Sequence, residues 1–167
     1  MKFTLVPDYI FEHFYDVTPE FLHSVGLRFL VLDIDNTLEP YENDTPSEQV
    51  VAWLQSLREK GIECAFVSNN SKERVEFFND QLSRPAYYKA RKPLKKNVVK
   101  AMNCLGADSS STAVMGDQIF TDVWAARNAG VKAILLPPIR DKKDLFTKFK
   151  RLLEKPIIRK YEKRKYK

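Results

Sequence analysis

Phe29-Leu30-Val31-Leu32 is an unbroken apolar run of strand length, and it stops abruptly at Asp33-Ile34-Asp35-Asn36-Thr37. A run without polar alternation suits a strand buried on both faces, the kind found in parallel sheets covered by helices. Similar runs follow at Ile62–Val67, Ala86–Tyr88, Thr112–Met115 and Val131–Leu136. Stretches with helical spacing separate them. Asp44-Thr45-Pro46 opens a helix through Lys60 that carries Val50, Trp53, Leu54 and Leu57 on one face and stops at Gly61. Ser71-Lys72-Glu73 opens a second, to about Leu82. Val98, Met102 and Leu105 mark a third that ends at Gly106, and a fourth runs from about Asp122 to Gly130. Strands alternating with helices restrict the chain to an α/β architecture, a Rossmann-like, doubly wound parallel sheet of about five strands with right-handed crossovers.

Three regions are distinguishable. Residues 1–27 form an aromatic-rich extension, with Tyr9 to Tyr15 followed by Thr18-Pro19-Glu20, an N-cap and helix start that stops at Gly26. Residues 28–139 hold the alternating pattern and the candidate catalytic residues. Residues 140–167 form a basic helix and tail, either packed on the same domain or peripheral to it. The net charge of +6 is uneven: from Arg140 onward thirteen Lys and Arg face four Asp and Glu, a balance of +9 that leaves −3 for the rest. Such a tail suits an anionic neighbour, a membrane surface or nucleic acid, or is simply a solvated helix face. No run reaches the length of a membrane span, and the N-terminus lacks a signal-peptide core. Cys64 and Cys104 fall inside strand-like and helix-like patterns without a Cys-x-x-Cys pair. They read as reduced core residues, which points to a cytoplasmic protein and away from zinc. His13 and His23 have no partner pattern and read as surface or core residues.

In a parallel sheet the C-terminal strand ends face one crevice, so residues far apart in sequence converge there. The first strand delivers Asp33 and Asp35, and the second delivers Ser68 and Asn69. The loop after the third delivers Lys92, and the fourth delivers Asp117 with Asp122. This set is acidic enough to hold a divalent cation, with an amine and a hydroxyl suited to phosphate oxygens. A glycine-rich Walker loop is missing, so nucleotide binding of that type has no support. Taken alone, Ser68-Asn69 is also a common turn and cap, Lys92 a solvated charge, and Asp122 an N-cap of its helix.

Asp33-x-Asp35-x-Thr37, Ser68-Asn69, Lys92 and Gly116-Asp117-x4-Asp122 resemble, in order, the four motifs of the haloacid dehalogenase superfamily. The stretches Asp-Asn-Thr-Leu, Val-Ser-Asn-Asn, Lys-Ala-Arg-Lys-Pro and Gly-Asp-Gln are similar to the YqeG family of its subfamily IIIA, which is related to mitochondrial phosphatidylglycerophosphate phosphatases. The resemblance implies a Mg²⁺-dependent phosphomonoester hydrolase. Asp33 would be the nucleophile and form an aspartyl-phosphate, and Asp35 the general acid and base. Ser68, Asn69 and Lys92 would bind the phosphoryl group, and Asp33, Asp35, Asp117 and Asp122 would hold the metal. The second aspartate, Asp35, favours phosphoryl transfer over dehalogenation.

Leu38 to Val67 and Asn70 to Arg91 each leave room for little more than one helix and its connections, so neither holds a separate cap domain. An open site suits a bulky phosphorylated substrate such as phosphatidylglycerophosphate, and leaves space for an oligomeric partner to supply cover. Phosphoproteins, nucleic-acid ends and small phosphates fit the same site, and a non-enzymatic RNA-associated module is the reading outside enzymology. Leu145, Phe149, Leu152 and Leu153 form an apolar stripe in the tail, and Pro156 is expected to break that helix. A membrane-surface role for the tail would place the protein at the inner face of a membrane.

Overall fold

The computed structural model describes residues 4–140 and 145–165. Its apolar runs pair into one sheet of six parallel strands: β1 (Tyr9–Ile10), β2 (Phe29–Leu32), β3 (Glu63–Val67), β4 (Ala86–Tyr87), β5 (Thr112–Gly116) and β6 (Lys132–Leu135). Their spatial order is β1-β6-β5-β2-β3-β4. β2 is central, registering Leu30 with Cys64 on one side and with Ala113 on the other. The helices are α1 (Pro19–Ser24), α2 (Glu48–Glu59), α3 (Lys72–Asn79), α4 (Lys96–Leu105), α5 (Trp124–Ala129) and α6 (Leu145–Lys165).

Burial on both faces explains the unalternating strands. Leu30, Leu32, Phe66 and Met115 point to one face and pack with Trp53, Leu54 and Leu57 of α2 and Val75 and Phe78 of α3. Val31, Ala65, Val67 and Val114 point to the other and meet Val98 and Ala101 of α4 and Ala125 and Ala126 of α5. Each fully buried Leu, Val or Phe contributes roughly 1.5–3 kcal/mol, so the two layers hold the sheet from both sides.

The sheet has one strand more than the expected five. β1 is a two-residue, half-buried edge segment whose sequence is aromatic rather than alternating, so it carries no strand signal. Tertiary contacts hold it. Arg127 donates to the carbonyls of Thr4 (3.0 Å) and Val6 (2.6 Å) and to the Asp8 carboxylate (2.8 Å), and Asp8 accepts the Ala133 N–H at 2.7 Å. The aromatic extension continues inward: Phe14 packs edge-on against Trp53, whose indole N–H donates to the Val17 carbonyl at 3.0 Å. Thr18 caps α1 as expected, accepting the Phe21 N–H at 3.2 Å.

Four local expectations are corrected. α2 starts at Glu48 with Ser47 as its cap, because the Asp44-Thr45-Pro46 stretch belongs to the preceding loop. Cys104 is exposed, whereas Cys64 is buried in β3 and its thiol is pushed up to about 12 by that burial. Pro156 lies inside α6 and does not end it. Leu152 and Pro156 are both exposed, so the carbonyl that loses its helical N–H partner faces water, and tertiary anchors further along hold the helix. Those anchors are Glu154, Ile157, Ile158 and Tyr161, so among the described residues the packed face of α6 is not formed by Leu152 and Leu153. Leu152 and Leu153 are solvent-exposed, and the side chains of Leu145 and Phe149 lie outside the described residues.

Candidate active site

β2 ends by delivering Asp33 into the crevice while its backbone is still paired, the Asp33 N–H donating to the Met115 carbonyl at 2.9 Å. The chain then makes one tight turn, with the Thr37 and Leu38 N–H groups both donating to the Ile34 carbonyl and Asn36 at a φ of 59°. Asparagine tolerates that left-handed conformation better than most residues. The turn swings Thr37 back, and its hydroxyl donates to Asp33 Oδ2 at 3.1 Å.

Lys92 arrives from the other side of the sheet. The loop after β4 doubles back through Lys89 and Arg91, both at positive φ (44° and 55°), and the side chain of Asn69 clamps its end. Asn69 Oδ1 accepts the Lys92 N–H at 2.7 Å and its Nδ2 donates to the Lys92 carbonyl at 3.3 Å. Held this way, Lys92 Nζ donates to Asp33 Oδ1 and to Asp122 Oδ1, each at 2.7 Å. Lysine is rarely buried unless paired, and here its side chain is 3 % exposed between two carboxylates.

Asp122 sits in a π-helical turn, Ile119–Val123, between β5 and α5. It is not the N-cap of its helix: its Oδ2 accepts the Gln118 N–H at 3.1 Å and the Thr121 hydroxyl at 3.2 Å, which aims Oδ1 at Lys92. The carboxyl lies directly over Gly116, where any Cβ would overlap it. Asp33, Asp117 and Asp122 are all buried, and each offers a ligand oxygen to a cluster in which these atoms lie within 4.8 Å of one another. The Asp35 carboxylate is outside that cluster. Arg74 grips it through Nε, at 3.1 Å from Oδ1, and through an ion pair from Nη2 at 3.0 Å, while Asn70 donates to Oδ2 at 3.0 Å. Ser68 is buried at the end of β3, and its hydroxyl accepts the Asn70 N–H at 3.0 Å.

The electrostatics follow from burial and from the Lys92 ammonium set between two buried carboxylates, Asp33 and Asp122. Burial raises the Asp33 carboxyl from 3.8 to about 6; Lys92 opposes this, and Asp122 and Asp35 add to it. Burial alone would pull the Lys92 ammonium down, but Asp122 and Asp33 outweigh it and hold Lys92 above its ordinary range. Three buried carboxylates that bring hard oxygen donors together fit a small divalent cation such as Mg²⁺.

Arg74, Asn70 and Glu154 were not legible as part of this region. Arg74 sits in the first turn of α3 and reads as a helix-surface charge until the fold brings Asp35 beside it. Glu154 is buried on α6, and its Oε1 accepts the Ile119 N–H at 3.0 Å at the start of the turn that carries Asp122. His13 and His23, by contrast, are exposed.

The model of the haloacid dehalogenase-like hydrolases matches residues 6–130 of the chain. The chain belongs to the haloacid dehalogenase-like hydrolases. Within them it is similar to the probable phosphatase YqeG of Bacillus subtilis, 31 % identical over 158 residues that cover 95 % of this chain and 92 % of that one. Its fold is shared with the 3-deoxy-D-manno-octulosonate 8-phosphate phosphatase of Moraxella catarrhalis, solved with magnesium, phosphate and KDO. The TM-score is 0.53 at 21 % identity, covering 69 % of this chain and 71 % of that one. An uncharacterised protein from Listeria monocytogenes gives a TM-score of 0.55 at 18 % identity, covering 71 % and 85 %. In this haloacid dehalogenase-like hydrolase the connections from β2 to β3 and from β3 to β5 hold only α2, α3, β4 and α4, so among the described residues no cap domain covers the crevice.

Proposed function

We propose that the protein is a phosphatase that hydrolyses a phosphomonoester through an aspartyl-phosphate on Asp33. The observation that carries this reading is the pairing of Lys92 Nζ at 2.7 Å with both Asp33 and Asp122. It presents a carboxylate nucleophile beside a fixed cation at a strand end. Asp33, Asp117, the Asp35 backbone carbonyl and, where it is not held by Lys92, Asp122 are the groups that would hold Mg²⁺. Bound there, the ion would offset the charge of the phosphoryl oxygens and of the carboxylates that hold it.

The chain's own residues supply the rest. Thr37 and Lys92 orient the two Asp33 oxygens, so that one attacks phosphorus in line with the leaving oxygen. Lys92 and the Ser68 hydroxyl stabilise charge on the phosphoryl oxygens, and the backbone at Asn69 adds N–H donors. Asn69's side chain acts differently, through its clamp on Lys92. Asp35 donates a proton to the leaving alkoxide, then takes one from the water that attacks the aspartyl-phosphate, releasing phosphate and regenerating Asp33. Arg74 and Asn70 position its carboxyl for both steps.

A cleft of about 430 Å³ borders the same turn, lined by His13, Phe14, Thr37, Glu39, Pro137 and Pro138. It gives a leaving group larger than a small alcohol somewhere to lie. With no cap domain over the crevice among the described residues, a bulky phosphate ester, phosphatidylglycerophosphate by family resemblance, is the leading substrate class. The test is Mg²⁺-dependent phosphate release from an aryl phosphate, then from lipid, nucleotide, sugar and peptide phosphates side by side. Asp33→Asn should lower turnover by several orders of magnitude with folding intact. A folded Asp33→Asn protein that turns over normally removes the nucleophile assignment. Preference for a soluble phosphate over the lipid ester removes the lipid substrate.

A further inference from the structure

α6 has two faces that its helical repeat separates cleanly. Glu154, Ile157, Ile158 and Tyr161 recur at the spacing of one face. Ile157 and Ile158 pack on the α4/α5 side of the core, Glu154 accepts the Ile119 N–H, and the Tyr161 hydroxyl accepts the Ile10 N–H at 3.2 Å. The opposite face is open. Leu152 and Leu153 stand on it 59 % and 45 % exposed. Beyond them Lys155, Arg159, Lys160, Lys163 and Arg164 are all exposed, with Glu162 the single acid among the described residues of that face.

We propose that this face of α6 docks on anionic lipid bilayers. Three observations select that partner. The cations are gathered on one helix, while residues 1–139 carry −3, so an anionic surface attracts this side and repels the remainder, fixing the orientation. The two leucines would stay wet against a phosphate backbone but are buried when a helix lies in the headgroup region. Among the described residues the face offers no exposed aromatic ring for bases to stack on, because Tyr161 is turned to the packed side by its bond to Ile10. Glu154, next to Leu153, is bonded to the turn that carries Asp122, so docking brings the crevice about one helix diameter from the lipid headgroups. The inference goes beyond the proposed chemistry and does not depend on it.

Flotation of the full-length protein with phosphatidylcholine vesicles, with and without phosphatidylglycerol, tests the docking. The protein should float only with the anionic vesicles and should be released by high salt. Replacing Lys155, Arg159, Lys160 and Lys163 together by Gln should weaken partitioning by roughly 10²- to 10³-fold. Leu152→Ser with Leu153→Ser should weaken it roughly tenfold. All six positions are exposed, so thermal melts of both variants should match wild type, and turnover of a soluble aryl phosphate should be unchanged. The proposal is overturned by equal flotation with neutral vesicles, by no flotation at low salt, or by unaltered binding in either variant. Retention by single-stranded RNA without vesicle binding overturns it too and assigns the face to nucleic acid. Vesicle binding by a protein without phosphatase activity removes the proposed chemistry and leaves the docking surface standing.

Discussion

Asp33→Asn gives a test of the site's electrostatics that needs no substrate. Asparagine keeps the shape of the carboxyl and removes its charge, so the metal-free variant approximates wild type with Asp33 protonated. In the folded protein burial raises Asp33 from 3.8 to about 6. The folded value lies above the unfolded one, so the stability associated with protonated Asp33 is fully present below about 3.8 and is lost as pH rises through about 6. At 1.36 kcal/mol per unit, wild type should lose about 3 kcal/mol relative to the variant across that window and then level off. Lys92 stays charged throughout, because its own value is held above the ordinary lysine range. For a domain of this size the difference is a melting-temperature gap of about 6–12 °C in favour of the variant at neutral pH. Thermal or urea melts in chelator, from pH 4 to pH 8, measure it directly. Adding Mg²⁺ should narrow or reverse the gap, since a ligand that binds only the folded wild-type cluster stabilises it by mass action. A gap that stays constant with pH, or one that favours wild type as pH rises, would falsify the account of an Asp33 carboxyl raised by its burial.

Gly116→Ala should cost about 1–3 kcal/mol and reduce turnover sharply, because the added methyl displaces the Asp122 carboxyl from Lys92; a crystal structure of the variant with Asp122 unmoved would contradict this. Arg74→Met keeps the aliphatic stem and removes the grip on Asp35. The loss in kcat should be larger for alkyl phosphates, which need a placed proton donor, than for p-nitrophenyl phosphate, and Arg74→Lys should restore part of it. Equal losses on both substrates would take Arg74 out of that positioning role. Glu154→Ala leaves the buried Ile119 N–H without its acceptor and should destabilise by about 1–3 kcal/mol. Hydrogen exchange at Ile119 and along the turn to Val123 should quicken with it, and unchanged protection there would show that α6 does not support the turn.

Phe29–Leu32, with its neighbours at Ile62–Val67 and Thr112–Met115, determined the parallel sheet by itself, because strands buried on both faces admit no polar alternation. The acids and the lysine that end those strands or follow them were legible for the same reason: a parallel sheet gathers its C-terminal ends at one edge, so order along the chain predicts convergence in space. Ser71 and Gly106 marked helix ends through capping chemistry that is local to a few residues. What the tertiary structure decided is long-range or depends on direction. β1 exists because Arg127 and Asp8 hold a segment too short to signal a strand. Arg74 and Asn70 meet Asp35 only once α3 is laid beside the turn after β2. Asn69, legible as a strand-end polar residue, received its work from the loop that Lys92 closes, where its side chain binds backbone. The helix through Pro156 shows the same limit in reverse: a local rule predicted a break, and the buried contacts of Glu154, Ile157, Ile158 and Tyr161 outweighed it, since one lost hydrogen bond on a wet face costs less than those anchors contribute.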